Sequence, residues 1–162
     1  MGKHVTLTLL GPQMPYLRRT RSDVNANSVV LRVDYGAVRI LLTGDAEHET
    51  EERLLARHPE TLRAQVLKVA HHGSSHSSTD EFLKHFPSDI AVISCGRNNR
   101  YKHPKPEALE RIKNMGAKIH RTDLEGTIHI RSDGKTFKVT SDGVPFSFLL
   151  RRTPVHSLRT AA

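Results

Sequence analysis

Two short runs of this chain carry the residue types of hydrolytic metal chemistry. The first is LLTGDAEHE at Leu41–Glu49, and the second is VLKVAHHGSSHSS at Val66–Ser78. Each reads as a buried strand that ends in a turn bearing polar side chains. Val38, Ile40, Leu41 and Leu42 lead into Thr43–Gly44–Asp45, and Val66, Leu67 and Val69 lead into His71–His72–Gly73. The glycines let the backbone turn sharply beside the polar groups. A carboxylate and an imidazole at neighbouring strand ends can meet at one ion, and zinc and similar metals take these donors. A shared ion would hold the two side chains about 4–5 Å apart, given ligand bonds of about 2 Å. Both motifs also have plain structural readings. Asp45 could cap the helix that begins near Glu47, and the histidine pair could sit in a polar loop.

Two further groups could handle phosphate. Asn98, Arg100, Tyr101 and His103 follow the apolar run Ile90–Cys95, where loops commonly form sites. A cation there can neutralise phosphate, and His103 could donate a proton or a hydrogen bond. The alternative is a basic loop leading into the next helix. Ser74, Ser75, Ser77 and Ser78 could donate hydrogen bonds to a phosphate, or form a solvated loop and helix cap.

The elements that must position these residues follow from periodicity. Val5–Leu10 alternates apolar and polar residues and predicts a strand. Pro12–Asn27 is polar, basic and turn-rich, and predicts a loop. Ser28–Asp34 and Val38–Thr43 predict a hairpin about Tyr35–Gly36. Glu47–Arg57 predicts a helix with Leu54 and Leu55 inward, ended by Pro59. Val66–Ala70 and Ile90–Ser94 are the next strands. Thr79 or Asp80 caps a short helix between them that carries Phe82, Leu83 and Phe86. Pro104–Met115 predicts a helix with Ala108, Leu109, Ile112 and Met115 on one face and Gly116 at its end. Ala117–His120 predicts a strand. Gly126–Arg131 and Thr136–Thr140 predict a second hairpin, and Asp123 and Glu125 serve the turn before it. The expected fold class is α/β, with residues 1–144 as one domain. Residues 145–162 are expected to be a partly mobile tail, in which Phe146, Phe148, Leu149 and Leu150 could dock on the body.

Composition narrows the classes. The chain has 162 residues, enough for one domain with a real core. With 36% hydrophobic residues and a mean hydropathy of −0.48, it has no run near the ~18 apolar residues of a membrane span. MGKHVTLTLLGP reads as a strand rather than a signal peptide. Cys95 is the only cysteine, so no internal disulfide is possible; it is expected to end a buried strand as a small core residue. The net charge of +8 attracts polyanions. Basic residues cluster at Arg18, Arg19 and Arg21, at Arg97, Arg100, Lys102 and Lys105, and at Arg151, Arg152 and Arg159.

NANSVVLRV, RILLTGDAE, LKVAHHGSSHSS, AVISCGRNNRYKHPKPEALERI and HRTDLEGTIHI, in this order, resemble the second half of a metallo-β-lactamase-fold hydrolase. The wording is most similar to the hydrolase domain of ComEC-type DNA-uptake (competence) proteins, from about Asn25 to about Val139. The resemblance implies half of a metallo-β-lactamase-like αββα sandwich, a mixed sheet with outer helices. It implies Asp45 as a metal-bridging, catalytic ligand, His72 as the late histidine ligand and His71 as a weaker candidate that could instead orient its neighbour. Ser74, Asn98 and Arg100 become candidate phosphate-binding residues, and His103 a catalytic one beside them. Asn27 and Ser28 stand where many superfamily members carry another ligand histidine. The family's HxHxDH string is absent here, so the chain reads as starting near the middle of the expected domain. The implied cofactor is zinc or manganese in a partial site.

Three functions compete at this point. The first is half of a metal-dependent phosphodiesterase acting on DNA, completed by a separate N-terminal half. The second is a non-catalytic basic module that binds nucleic acid or a partner, and the third is a small-molecule hydrolase of the same superfamily. A half-sandwich also leaves an apolar face, so a homodimer or a complex is expected, with Val29, Leu31, Ile40 and Leu42 on the partner face. The expected location is cytoplasmic, or the soluble domain of a membrane-associated system.

Overall fold

The computed structural model describes residues 4–85 and 87–143. Phe86, the boundary at 144/145, Phe146, Phe148, Leu149, Leu150, Arg151, Arg152, His156 and Arg159 therefore lie outside the described residues.

The chain opens with strand β1 (Val5–Gly11), which pairs antiparallel with β2 (Val30–Tyr35). β2 turns through Gly36 into β3 (Val38–Leu42), the predicted hairpin. From β3 onward the sheet is parallel: β4 (Val66–Lys68), β5 (Ile90–Ile93) and β6 (Lys118–Arg121) add in sequence order. The result is a six-stranded mixed sheet, so the α/β class holds. A second, two-stranded sheet is formed by β7 (Ile128–Ser132) and β8 (Phe137–Ser141).

Helices connect the parallel strands. Between β1 and β2, a short helix α1 (Asp23–Ala26) interrupts the stretch expected to be loop throughout. Ser22 caps it by accepting from the Asn25 amide, a local signal that a turn-rich composition hides. α2 (His48–Arg57) joins β3 to β4, α3 (Asp80–His85) joins β4 to β5, and α4 (Pro106–Asn114) joins β5 to β6. The strand order always advances in one direction. Right-handed crossovers then place successive helices on the same side of the sheet. The core shows that outcome: Leu54, Phe82, Leu83 and Ile112 cluster with Leu10, Val30, Leu41, Leu67, Ala91 and Ile93. Leu41 and Leu67 are fully buried, and each such side chain contributes roughly 1.5–3 kcal/mol. A last short helix, α5 (Thr122–Glu125), precedes β7 where a turn was expected.

The second face of the sheet is less covered. Register puts Leu9, Leu7 and Val5 beside Leu31, Val33 and Tyr35, and these beside Leu42, Ile40 and Val38. Val5, Leu7 and Leu9 are 59–65% exposed, and Val29 and Leu42 are exposed as well. The β7–β8 hairpin is tied to this side at its tip, where the Gly134 carbonyl accepts the Ala37 amide at 2.8 Å. A Cβ on Gly36 would lie 2.2 Å from that carbonyl oxygen, so the close approach needs glycine. Among the described residues, no helix is long and apolar enough to cross a membrane.

Candidate functional site

The two motif turns lie side by side because β3 and β4 are adjacent and parallel, so both chains leave the sheet at one rim. Thr43 ties the two ends together: its hydroxyl donates to the Lys68 carbonyl at 2.6 Å. The Gly44 carbonyl then accepts the His71 amide at 3.1 Å and the Lys68 ammonium at 3.3 Å. Gly44 has φ +55, and a Cβ there would meet the Val29 carbonyl oxygen at 2.9 Å. The Ser28 hydroxyl accepts the Asp45 amide at 3.1 Å, so this serine shapes the aspartate turn. Asn27 instead braces the 12–27 loop through Leu17 and Asp23.

Asp45 and His72 come together on one rim, closer than the expected separation of about 4–5 Å. Asp45 Oδ1 lies 3.5 Å from His72 Nε2, and both side chains are roughly half exposed. His72 Nδ1 lies 2.6 Å from the Ser94 carbonyl oxygen at the end of β5, so it must be the protonated nitrogen. Nε2 faces the Asp45 carboxylate, the position from which the two could share an ion. Asp45 does not cap α2: the cap position belongs to Glu47, without a side-chain cap bond.

His71, His72 and Gly73 form three successive left-handed residues, with φ of 44°, 56° and 81°. For the two histidines this backbone is costly and is held by the tertiary structure. Gly73 is required, since a Cβ there would sit 2.5 Å from the Cβ of Pro104. The Gly73 carbonyl accepts the Lys105 amide at 2.8 Å, which brings the 96–105 loop onto the histidine turn. The His71 ring is 6.2 Å from that of His72 and 5.7 Å from that of His103, with the two ring pairs edge to face. Burial, reinforced by the neighbouring His71, holds the His103 imidazole below its ordinary pKa and so favours the neutral ring.

The other sequence candidates scatter more widely. Asn98 is exposed, and its neighbour Asn99 builds the loop: Oδ1 accepts the His103 amide, and Nδ2 donates to the Gly96 and His103 carbonyls. Arg100 is exposed and lies over the Tyr101 ring, 4.6 Å from its centroid. Ser74 is buried, and its hydroxyl accepts the His76 amide. Ser77 and Ser78 are buried too, which excludes the solvated-loop reading for these three serines. Arg111 of α4 holds this segment by donating to the carbonyls of Ser75, Ser77 and Ser78. Glu51 of α2 holds it from the other side, accepting the Ser78 and Thr79 amides and the Thr79 hydroxyl. Thr79 accepts the Phe82 amide and so caps α3, as expected.

Two residues escaped the sequence reading. Glu47 is fully buried beside the site, and its carboxylate accepts from Arg21 and Asn25 and lies 3.2 Å from His71 Nδ1. Burial alone would raise its pKa, but the Arg21 and Asn25 hydrogen bonds prevail and lower it. Its spacing two residues after Asp45 was the available signal. Lys68 extends from the end of β4, and burial lowers its pKa against the opposing pull of Asp45. Cys95 lies just past β5, partly buried, and its thiol donates to Asp123; burial and that carboxylate push it up to about 11.

A cleft of about 810 Å³ opens beside this rim, lined by His72, Cys95, Arg97, Tyr101, His103 and Ile128 among others. The metal fit is incomplete. Asp45 and His72 are two converging donors, but zinc takes about four ligands. Among the described residues, no group of three or more His, Cys, Asp or Glu is arranged to hold a metal ion. This set therefore does not form a full site by itself.

No known protein-family profile matches the chain. It is 36% identical over 139 residues to ComE operon protein 3 of Bacillus subtilis, covering 85% of this chain and 17% of that protein. It is 40% identical over 121 residues to competence protein ComA of Neisseria gonorrhoeae, covering 73% and 18%. It is 38% identical over 112 residues to recombination protein 2 of Haemophilus influenzae, covering 68% and 14%. The chain thus spans about a sixth of the length of the curated relatives it matches.

Proposed function

We propose that this chain works in DNA uptake, as the part of a metal-dependent phosphodiesterase that carries the Asp45–His72 rim. The observation that carries the reading is the meeting of Asp45 Oδ1 and His72 Nε2 at 3.5 Å, at the ends of adjacent parallel strands. The names of two homologues speak of competence or the ComE operon, and a third of recombination. The net charge of +8 suits a polyanionic substrate. On this reading the fold is half of a metallo-β-lactamase-like sandwich. Zinc or manganese would be held by Asp45 and His72, with His71 as a further candidate, and would activate water and offset charge on phosphate. The remaining ligands come from a second segment packed on the exposed apolar face around Leu7, Leu9 and Leu42, supplied by another polypeptide region or by a second copy. His103, Arg100 and Asn98 are the proposed substrate-side residues; Ser74, buried with its hydroxyl on the His76 amide, shapes the serine segment instead. The location is the cytoplasm or the soluble part of a membrane-associated system.

A second reading is a basic module that binds nucleic acid without cutting it. The specific observation in its favour is the lack of a third converging donor among the described residues. One experiment separates the two. The purified chain is assayed for DNA cleavage and for DNA binding with added manganese or zinc, beside Asp45→Ala and His72→Ala. The incomplete-site reading expects weak metal binding, little cleavage by the chain alone, and DNA binding that falls steeply with salt. Strong cleavage lost in both variants would show that this rim suffices. Salt-sensitive DNA binding with no metal uptake in any form would favour the module.

A further inference from the structure

We propose that Glu47 is a positioning residue of this rim: it keeps the proton of His71 on Nδ1 and leaves Nε2 bare on the ring that packs between His72 and His103. The backbone of His71 is held in the left-handed region, with its amide bound to the Gly44 carbonyl, and its ring packs edge to face against those of His72 and His103. Its Nδ1 is sealed from solvent and has no aligned hydrogen-bond partner among the described residues. Glu47 Oε1 lies 3.2 Å from it, a close contact set off the ideal hydrogen-bond line. A carboxylate oxygen only accepts, so a protonated Nδ1 is attracted to it and a bare Nδ1 is repelled.

The carboxylate is itself held firmly. Arg21 Nε reaches Oε2 at 3.1 Å, while Arg21 Nη2 and Asn25 Nδ2 reach Oε1. Arg21 and Asn25 belong to the 12–27 loop and α1, so that basic loop is joined to the rim through one buried carboxylate. The same tautomer logic already applies to His72, where the Ser94 carbonyl takes Nδ1–H. The His71 ring would then offer a bare Nε2 on a rim that also carries His72 and Asp45. What that atom does rests on the hydrolase reading: it can accept a proton or complete part of a ligand set. The tautomer itself does not depend on that reading.

The test is long-range proton–nitrogen NMR on the full chain with labelled histidine, with neither metal nor DNA present, at a pH where the rings are neutral. The expected result is a His71 signature with the proton on Nδ1. Glu47→Ala should lose that signature. Glu47→Gln should keep it, because three donors converge on the Oε1 position and the amide oxygen will take that place. A wild-type His71 protonated on Nε2 overturns the proposal even if the variants do not fold. An unchanged signature in Glu47→Ala overturns it as well. Because the measurement is free of metal and DNA, failure of the hydrolase reading appears separately, as absent metal uptake with the tautomer intact.

Discussion

Glu47 and Glu51 stand one helical turn apart at the start of α2, both almost fully buried, yet they titrate in opposite directions. Glu47 is lowered: burial raises it, but the Arg21 fork and Asn25 outweigh that. Glu51 is raised: burial dominates, and the Ser78 and Thr79 donors with the more distant Arg111 offset it only in part. The first carboxylate meets a cation in direct contact, and the second meets neutral N–H and O–H groups. The lesson is that burial alone does not set the charge of a buried acid; the charge of its contact partners decides. One turn of helix thereby separates an ionised group at the candidate site from a structural clamp on the serine segment.

The most damaging way to break the comparison is Glu51→Ala. It strands the Ser78 and Thr79 amides in the interior, at roughly 1–3 kcal/mol per unsatisfied group. We expect a loss of about 3 kcal/mol in urea unfolding, against a smaller loss for Glu51→Gln. A loss below about 1 kcal/mol would show that the serine segment does not depend on this clamp.

Next in size is Gly73→Ala. It places a Cβ against Pro104 and strains a residue at φ +81, so a loss of about 2 kcal/mol is expected. Unchanged stability, with unmoved His71 and His103 resonances, would mean that the two loops are not packed together.

The pH dependence sharpens the comparison directly. Glu47, lowered in the folded chain, contributes stability that is present above the unfolded pKa of about 4.5 and is lost as pH falls through its lower folded value. Glu51, raised, contributes stability that is complete below about 4.5 and is lost as pH rises through its higher folded value. Measured against their glutamine variants, the two should therefore give slopes of opposite sign with pH. Parallel slopes would remove the distinction.

The smallest effect is expected at the rim. Asp45→Asn leaves a partly exposed pair, and exposed ion pairs contribute about 0–1 kcal/mol. Unfolding should shift by no more than about 0.5 kcal/mol, while any metal uptake falls. A large destabilisation would make Asp45 a structural residue.

The difference between these two glutamates also marks how far the sequence could be read. Both appear in it only as acidic residues in the first turn of a helix, where the dipole favours them. Nothing local reveals that Arg21, 26 residues earlier, closes on one, or that Ser78 and Thr79, 27 and 28 residues later, close on the other. The 98/99 pair behaves the same way. Both asparagines suit a loop, and only the closure of that loop onto His103 selects Asn99 as its brace. Helix α1 was hidden inside a turn-rich stretch because a helix of four residues has too little periodicity to read.

What the sequence determined by itself was local and periodic. The apolar runs, the turn glycines at 44 and 73, the β2–β3 and β7–β8 hairpins, the Thr79 cap and the face of α4 all follow from spacing within a few residues. The placing of a carboxylate and a histidine at strand ends was legible for the same reason. Only the tertiary structure decided which strands are neighbours, and hence that Asp45 meets His72 at 3.5 Å. It also decided which serines are buried, which glutamate keeps its charge and which face of the sheet stays exposed. Those outcomes depend on contacts between residues far apart in the chain, and on the desolvation such contacts impose, and neither is encoded in any short window of sequence.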